Sequence, residues 1–156
     1  MKYFRGKNHK KQQIIVSLTT FPARILCASK VIRSMLHQTV RADKVILCLA
    51  EEQFPERKLP KEITDIKNHR FQIIWGEDLK PHKKYYYAMK MYPESIIITV
   101  DDDIYYPDNL LEKLVESYKK FPHAVSCLRG HTIKIEKDGK LICTPKVRHF
   151  WRCIFL

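Results

Sequence analysis

Apolar positions along the chain fall into two patterns. Short, mostly apolar runs occur at Ile14 to Leu18, Val45 to Leu49, Phe71 to Trp75 and Ile96 to Val100. All four read as strands, and the β-branched run at Ile96 to Val100, without polar alternation, predicts a central strand of a parallel sheet covered on both faces. Between them the apolar residues recur at helical spacing. Pro22 opens a helix with Ile25, Ala28, Ile32, Met35 and Leu36 on its inner face. A short helix is expected over Lys61 to Lys67, and another over Pro81 to Tyr92 with Tyr85, Ala88, Met89 and Tyr92 on one face. Pro107 opens a further helix striped by Leu110, Leu111, Leu114, Val115 and Tyr118 and stopped at Phe121-Pro122. Ala124 to Leu128 reads as a strand, and Thr132 to Glu136 and Lys140 to Thr144 flank a Lys137-Asp138-Gly139 turn, predicting a hairpin. The expected class is α/β: a mostly parallel, Rossmann-like sheet flanked by helices, with a C-terminal β-hairpin. Residues 1–12 are expected to be a basic mobile tail and residues 13–156 a single domain. The closing run from Phe150 to Leu156 is apolar and carries no stop signal, so it reads as a chain cut inside a core element.

The strand at Ile96 to Val100 runs straight into Asp101-Asp102-Asp103. In an open α/β sheet the carboxyl ends of the strands border the ligand crevice. Three adjacent carboxylates repel one another and need solvent or a compensating cation. A hard divalent ion suits them, since Mg²⁺ and Mn²⁺ take carboxylate oxygens and fill their remaining positions with substrate phosphates. Acidic residues before a helix are also ordinary partners of its dipole, and the buried strand upstream is what favours a site. Cations at His82, Lys83 and Lys84 stand in the first turn of the expected third helix, where they oppose the macrodipole. Either a bound anion removes that conflict, or they are surface lysines tolerated at small cost.

Composition narrows the partner. The chain has 156 residues and a formal net charge of +12, which favours nucleotide phosphates, anionic lipid headgroups or nucleic acid. Only four glycines are present and no Gly-rich fingerprint is formed, which argues against a dinucleotide site or a P-loop. The five cysteines lack any C-x-x-C pair, which argues against a disulfide framework and for a reducing cytoplasm, and the tract Cys143, His149, Cys153 lacks the paired spacing of a zinc site. No apolar run reaches the ~20 residues that a membrane helix needs.

Four stretches together resemble the family-2 GT-A glycosyltransferases. Ile14 to Arg24 is similar to that family's first strand and nucleotide loop, and Ser34-Met35-Leu36-His37-Gln38-Thr39 to its S-x-L-x-Q-T signature. Val45 to Leu49 stands where its second strand would be, and Ile96 to Asp103 with Pro107-Asp108-Asn109-Leu110 resembles its strand, DXD motif and following helix. The resemblance covers roughly residues 13–130. It implies an enzyme that binds a nucleoside diphosphate sugar, a UDP-sugar being favoured, with Mn²⁺ or Mg²⁺. Asp101 and Asp103 would be the metal ligands, and Thr19, Phe21, Arg24, Lys83 and Asp102 the nucleotide-sugar-binding residues. The implied acceptor is a glycan or lipid-linked molecule, as in bacterial surface polysaccharide synthesis, with the enzyme in the cytoplasm or peripheral on the anionic inner face of the plasma membrane.

The chain departs from the family pattern at two places. The usual Asp-Asp-Gly-Ser after the second strand is replaced, leaving Glu51-Glu52 nearest, and the usual Arg-Asn is replaced by Lys83-Lys84-Tyr85-Tyr86. Inverting members use a carboxylate base well downstream of the DXD motif. No catalytic residue is assigned here, Glu136 and Asp138 falling in the hairpin, and part of the acceptor half is expected to be missing. Two alternatives stand beside this reading. A nucleotidyl- or phosphoryl-transfer enzyme would use the same carboxylates, although Thr19 to Arg24 is poor in glycine and lysine. A non-catalytic nucleic-acid-binding module would explain the charge, but the basic residues are scattered and match no such motif, so no nucleic acid is expected.

Overall fold

The computed structural model describes residues 12–128, 132–144 and 152–155. The expected basic tail lies almost wholly outside these residues, as do His149 of the cysteine-histidine tract and Phe150, Trp151 and Leu156 of the closing apolar run. The chain divides into two compact units, residues 1–111 and 112–156.

The first unit alternates strands and helices: β1 (Ile14–Thr19), α1 (Ile25–Leu36), β2 (Lys44–Ala50), α2 (Lys61–Thr64), β3 (Phe71–Gly76), α3 (Lys83–Met91) and β4 (Ile96–Thr99). The strands form one parallel sheet in the order β3-β2-β1-β4, with Val16 opposite Val45 on one side and Ile98 on the other. The two inner strands, β1 and β2, carry the deepest part of the core, with Ile15, Val16, Leu18, Ile46, Leu47 and Leu49 fully buried in them. Each such side chain contributes on the order of 1.5 to 3 kcal/mol by leaving water. Helix α1 buries the face that its periodicity predicts, including Ile25, Ala28, Ile32, Met35 and Leu36.

Three expectations change. Among the described residues β4 has a single hydrogen-bonded neighbour, β1, so it is an edge strand and not a central one. Its Ile96 and Ile97 are only half-buried and Thr99 is exposed. Strand alternation reports how many faces are apolar, not how many edges are paired. Helix α2 ends at Thr64, one turn after it starts. In α3 the inner face is rotated from the expected one: Lys83 and Ala88 are buried, while Tyr85 and Met89 are 38% and 53% exposed. Tyr87 and Tyr92 pack on the cluster of Ile15, Ile46 and Cys48. Gly76 makes room for this, because a Cβ there would lie 2.4 Å from the Tyr87 ring.

The second unit contains most of α4 (Leu110–Lys120), then β5 (Ala124–Cys127), β6 (Thr132–Ile135), β7 (Leu141–Thr144) and β8 (Arg152–Phe155). β5 pairs antiparallel with β8, and the Ser117 and Ser126 hydroxyls meet at 2.8 Å. β6 and β7 form the expected hairpin, turned by Gly139 at φ 82° and by Asp138, whose carboxylate accepts the Lys140 N–H.

Candidate active site

The carboxyl ends of β1 and β4 bring the two polar segments of the first unit together. β1 ends at Thr19, whose hydroxyl donates to the Cys48 carbonyl of β2 at 2.7 Å. The next residue, Thr20, donates its hydroxyl to Asp102 Oδ2 at 2.5 Å. A short 3-10 turn over Pro22–Arg24 then carries Arg24 to the start of α1. From there its guanidinium reaches two carboxylates, Asp102 at 2.7 Å and Asp103 at 2.5 Å, while lying 4.9 Å from the centre of the Phe21 ring. The third carboxylate, Asp101, accepts from Lys84 Nζ at 2.7 Å.

The three carboxylates are therefore not equivalent. The Asp102 side chain is 2% exposed, whereas those of Asp101 and Asp103 are 50% and 45% exposed. The buried one carries a hydroxyl donor and an arginine, as a carboxylate removed from water must. The outer two keep solvent access and one cationic partner each.

The loop that holds the triplet is fastened from below. Tyr106 is buried, and its hydroxyl accepts the Asp101 backbone N–H at 2.8 Å. Burial pushes the Tyr106 phenol above its ordinary pKa, and the neighbouring carboxylates push it the same way. Gln38 uses both ends of its amide: Nε2 donates to the Pro107 carbonyl at 3.0 Å and Oε1 accepts the Leu111 N–H at 3.1 Å. Thr39 adds a backbone bond to the Asp108 carbonyl at 2.8 Å. The Gln-Thr pair of the sequence signature is thus the clamp on the segment that follows the acidic triplet.

A second cluster forms beyond the end of β3. Asp78 accepts from Lys83 and Lys80 through their ammonium groups and from Gln53 Nε2 at 3.1 Å. The side chains of Asp78 and Lys83 are 8% and 4% exposed. Hydrogen bonds from the two lysines hold the Asp78 carboxyl well below the usual carboxylate range. Of the three residues His82, Lys83 and Lys84, the two lysines have carboxylate partners, Asp78 for Lys83 and Asp101 for Lys84, while the His82 ring meets the Tyr85 hydroxyl.

These groups line one cavity of about 350 Å³. Thr19, Phe21, Arg24, Lys83, Asp101 and Asp102 of the sequence-predicted set all border it, and Asp103 joins them through Arg24. Glu51 is held by Arg57 on the surface, and from its turn it is Gln53 that lines the cavity. Thr20, Gln53, Asp78 and Lys84 stand outside that predicted set. Thr20 and Lys84 were signalled by their neighbours in sequence. Asp78 and Gln53 carried no local signal, because both come from loops whose approach depends on the pairing of β2 with β3. A larger concavity of about 720 Å³, lined by Glu77, His82, Tyr85, Tyr86 and Lys90 among others, shares Asp78 and Lys80 with the first. Among the described residues no three His, Cys, Asp or Glu side chains are grouped so as to hold a metal ion.

A parallel sheet flanked by helices, with an acidic loop after β4 facing a cation-lined cavity, defines a Rossmann-like fold of the GT-A type. The family model for glycosyl transferase family 2 matches residues 28–149, and the chain belongs to that family. A search of curated proteins returned no match. Among the described residues no helix is long and apolar enough to cross a membrane.

Proposed function

We propose that the cavity at the carboxyl edge of the sheet is the donor site of this glycosyltransferase. In this reading it holds a nucleoside diphosphate sugar, a UDP-sugar being favoured, for transfer to a glycan or lipid-linked acceptor. The observation that carries this is the meeting of Arg24, Lys83 and Lys84 with the Asp101 to Asp103 triplet around one cavity. Breaking the bond between an anomeric carbon and a diphosphate builds negative charge on the leaving group, and fixed cations around it lower that barrier. Arg24 presents a planar fork suited to phosphate oxygens, while Lys83 and Lys84 act as point charges. Phe21 offers a ring face beside Arg24, and Thr19 and Asp102 complete the set.

Mn²⁺ or Mg²⁺ fits the donor chemistry here. Two half-exposed carboxylates, Asp101 and Asp103, are hard oxygen ligands in reach of solvent, and Mg²⁺-type sites use one or two carboxylates with phosphates and water as the rest. Those two residues would hold the ion, which when bound supplies Lewis-acid stabilisation of the diphosphate. Arg24 and Lys84 neutralise the same carboxylates and border the same cavity.

The test is calorimetric titration of UDP with and without Mn²⁺ into the wild type and into the Asp101→Ala, Asp103→Ala double variant. Metal-dependent binding that is lost in the double variant is the expected result. Absence of nucleotide binding with UDP, GDP and dTDP under all metal conditions would overturn the reading.

A further inference from the structure

We propose that Asp78, which lies outside the acidic motif, is the positioning residue of the donor site: it holds the Lys83 ammonium in the cavity where that ammonium meets the diphosphate. This inference rests on the donor-site reading above. Helix α3 starts at Lys83, and no side chain caps its first turn. An ammonium at that end is repelled by the helix dipole, and burial adds a desolvation cost. Left alone it would turn outward to water. Asp78 reverses this, because the Lys83 and Asp78 side chains are both more than nine-tenths buried and ion-paired at the cavity wall.

The geometry of Asp78 shows how it is itself held. Its Oδ1 accepts the Lys80 backbone N–H at 3.1 Å, and Lys80 stands at φ 54°, a left-handed conformation that a non-glycine residue adopts at a cost. Its Oδ2 accepts Gln53 Nε2 at 3.1 Å and Lys80 Nζ at 2.7 Å. One carboxylate therefore ties the loop after β2, the turn after β3 and the first residue of α3. The Lys80 side chain is 76% exposed, so it is a surface partner of this carboxylate, whereas Lys83 is the buried one. An ammonium has three N–H donors. With one directed at Asp78, Lys83 retains donors for an anion in the cavity that both residues line.

The experiment separates aiming a cation from merely stapling a loop. UDP, GDP and dTDP are titrated with Mn²⁺ into the wild type, and the tightest is carried forward with its matching nucleoside, measured by displacement. Asp78→Asn keeps an oxygen for the Lys80 N–H but removes the charge that holds Lys83. The expected result is about a tenfold loss of diphosphate affinity with nucleoside affinity unchanged. Lys83→Met should lose about the same, and the double variant should be no worse than either single one, since both remove one interaction. Should Asp78→Asn fail to fold, Asp78→Glu, which keeps the charge and shifts it by a methylene, takes its place: a loss confined to diphosphate supports the inference, and wild-type diphosphate affinity or an equal loss for nucleoside overturns it. Equal losses for diphosphate and nucleoside, additive losses in the double variant, or wild-type affinity in Asp78→Asn would each overturn the inference while leaving the donor site standing. A wild type that binds none of the three nucleotides overturns the donor site, and this inference with it.

Discussion

Asp102 is the carboxylate that the fold cannot spare. It is buried between the Thr20 hydroxyl and the Arg24 guanidinium, so Asp102→Ala strands a buried hydroxyl and takes from Arg24 one of its two carboxylate partners. Leaving such partners unsatisfied costs roughly 1 to 3 kcal/mol. Asp101→Ala and Asp103→Ala remove half-exposed ion pairs, whose worth is about 0 to 1 kcal/mol. Urea denaturation of the three variants should therefore show a clear loss for Asp102→Ala and small shifts for the others, and equal losses would contradict the assignment of Asp102 as the structural member. Asp78 supplies a pH signature at the same scale. Its folded-state carboxyl is held below the ordinary range by the Lys80 and Lys83 hydrogen bonds. A depressed carboxyl pKa stabilises the fold above the unfolded-state value near 4, and that contribution is lost as pH falls below it. Acid unfolding of Asp78→Asn should be less steep than that of the wild type below about pH 4.

Single elements are held in register by residues that touch no ligand. Gln38 lies just beyond the end of α1, yet its amide fixes both the Pro107 carbonyl and the Leu111 N–H at the start of α4. Gln38→Leu keeps the bulk, removes both bonds and leaves buried backbone groups unpaired, for about 1 to 3 kcal/mol. Hydrogen exchange at the Leu111 amide should accelerate in this variant, and unchanged exchange would show that the clamp is not needed. Cys48 reports on the sheet interior in a similar way. It is buried in β2 and its thiol touches the Ser17 hydroxyl, with burial pushing its pKa up from 9.0 to about 11. A raised thiol pKa means that the unfolded chain ionises first. Stability should be retained below pH 9 and should fall between about 9 and 11, less so in Cys48→Ala after allowance for its lost packing. In the native state the exposed Cys27 should react with a thiol reagent at pH 8 well before Cys48 does.

For the molecule as a whole, a net charge of +12 sets the background against which any ligand is read. Such a surface attracts polyanions in general, and the attraction falls with salt. We expect co-sedimentation with vesicles containing anionic lipid at low ionic strength, lost by about 0.5 M salt, where the Debye length is below about 5 Å. The Asp101→Ala, Asp103→Ala variant, which is expected to lose nucleotide binding, should sediment as well as the wild type. Failure of the wild type to sediment at low salt would count against the peripheral membrane contact expected from the sequence and leave the donor-site proposal untouched.

The residues alone determined the class of fold and pointed to the candidate site. Continuous apolar strands, the helical stripe of α1 and an acidic triplet at a strand end are local patterns, and local patterns survive without knowledge of what lies opposite. The Gln-Thr signature was legible as a motif, although its work as a clamp on Pro107 and Leu111 was not. What the tertiary structure decided were the pairings. Among the described residues it left β4 paired with β1 alone, rotated α3 so that a lysine faces inward, separated buried Asp102 from its exposed neighbours, and brought Asp78 and Gln53 to Lys83. The reason is physical. Burying a charge or choosing a sheet edge depends on partners many residues away, so the free energy that decides it belongs to the assembled sheet and cannot be read from any one segment.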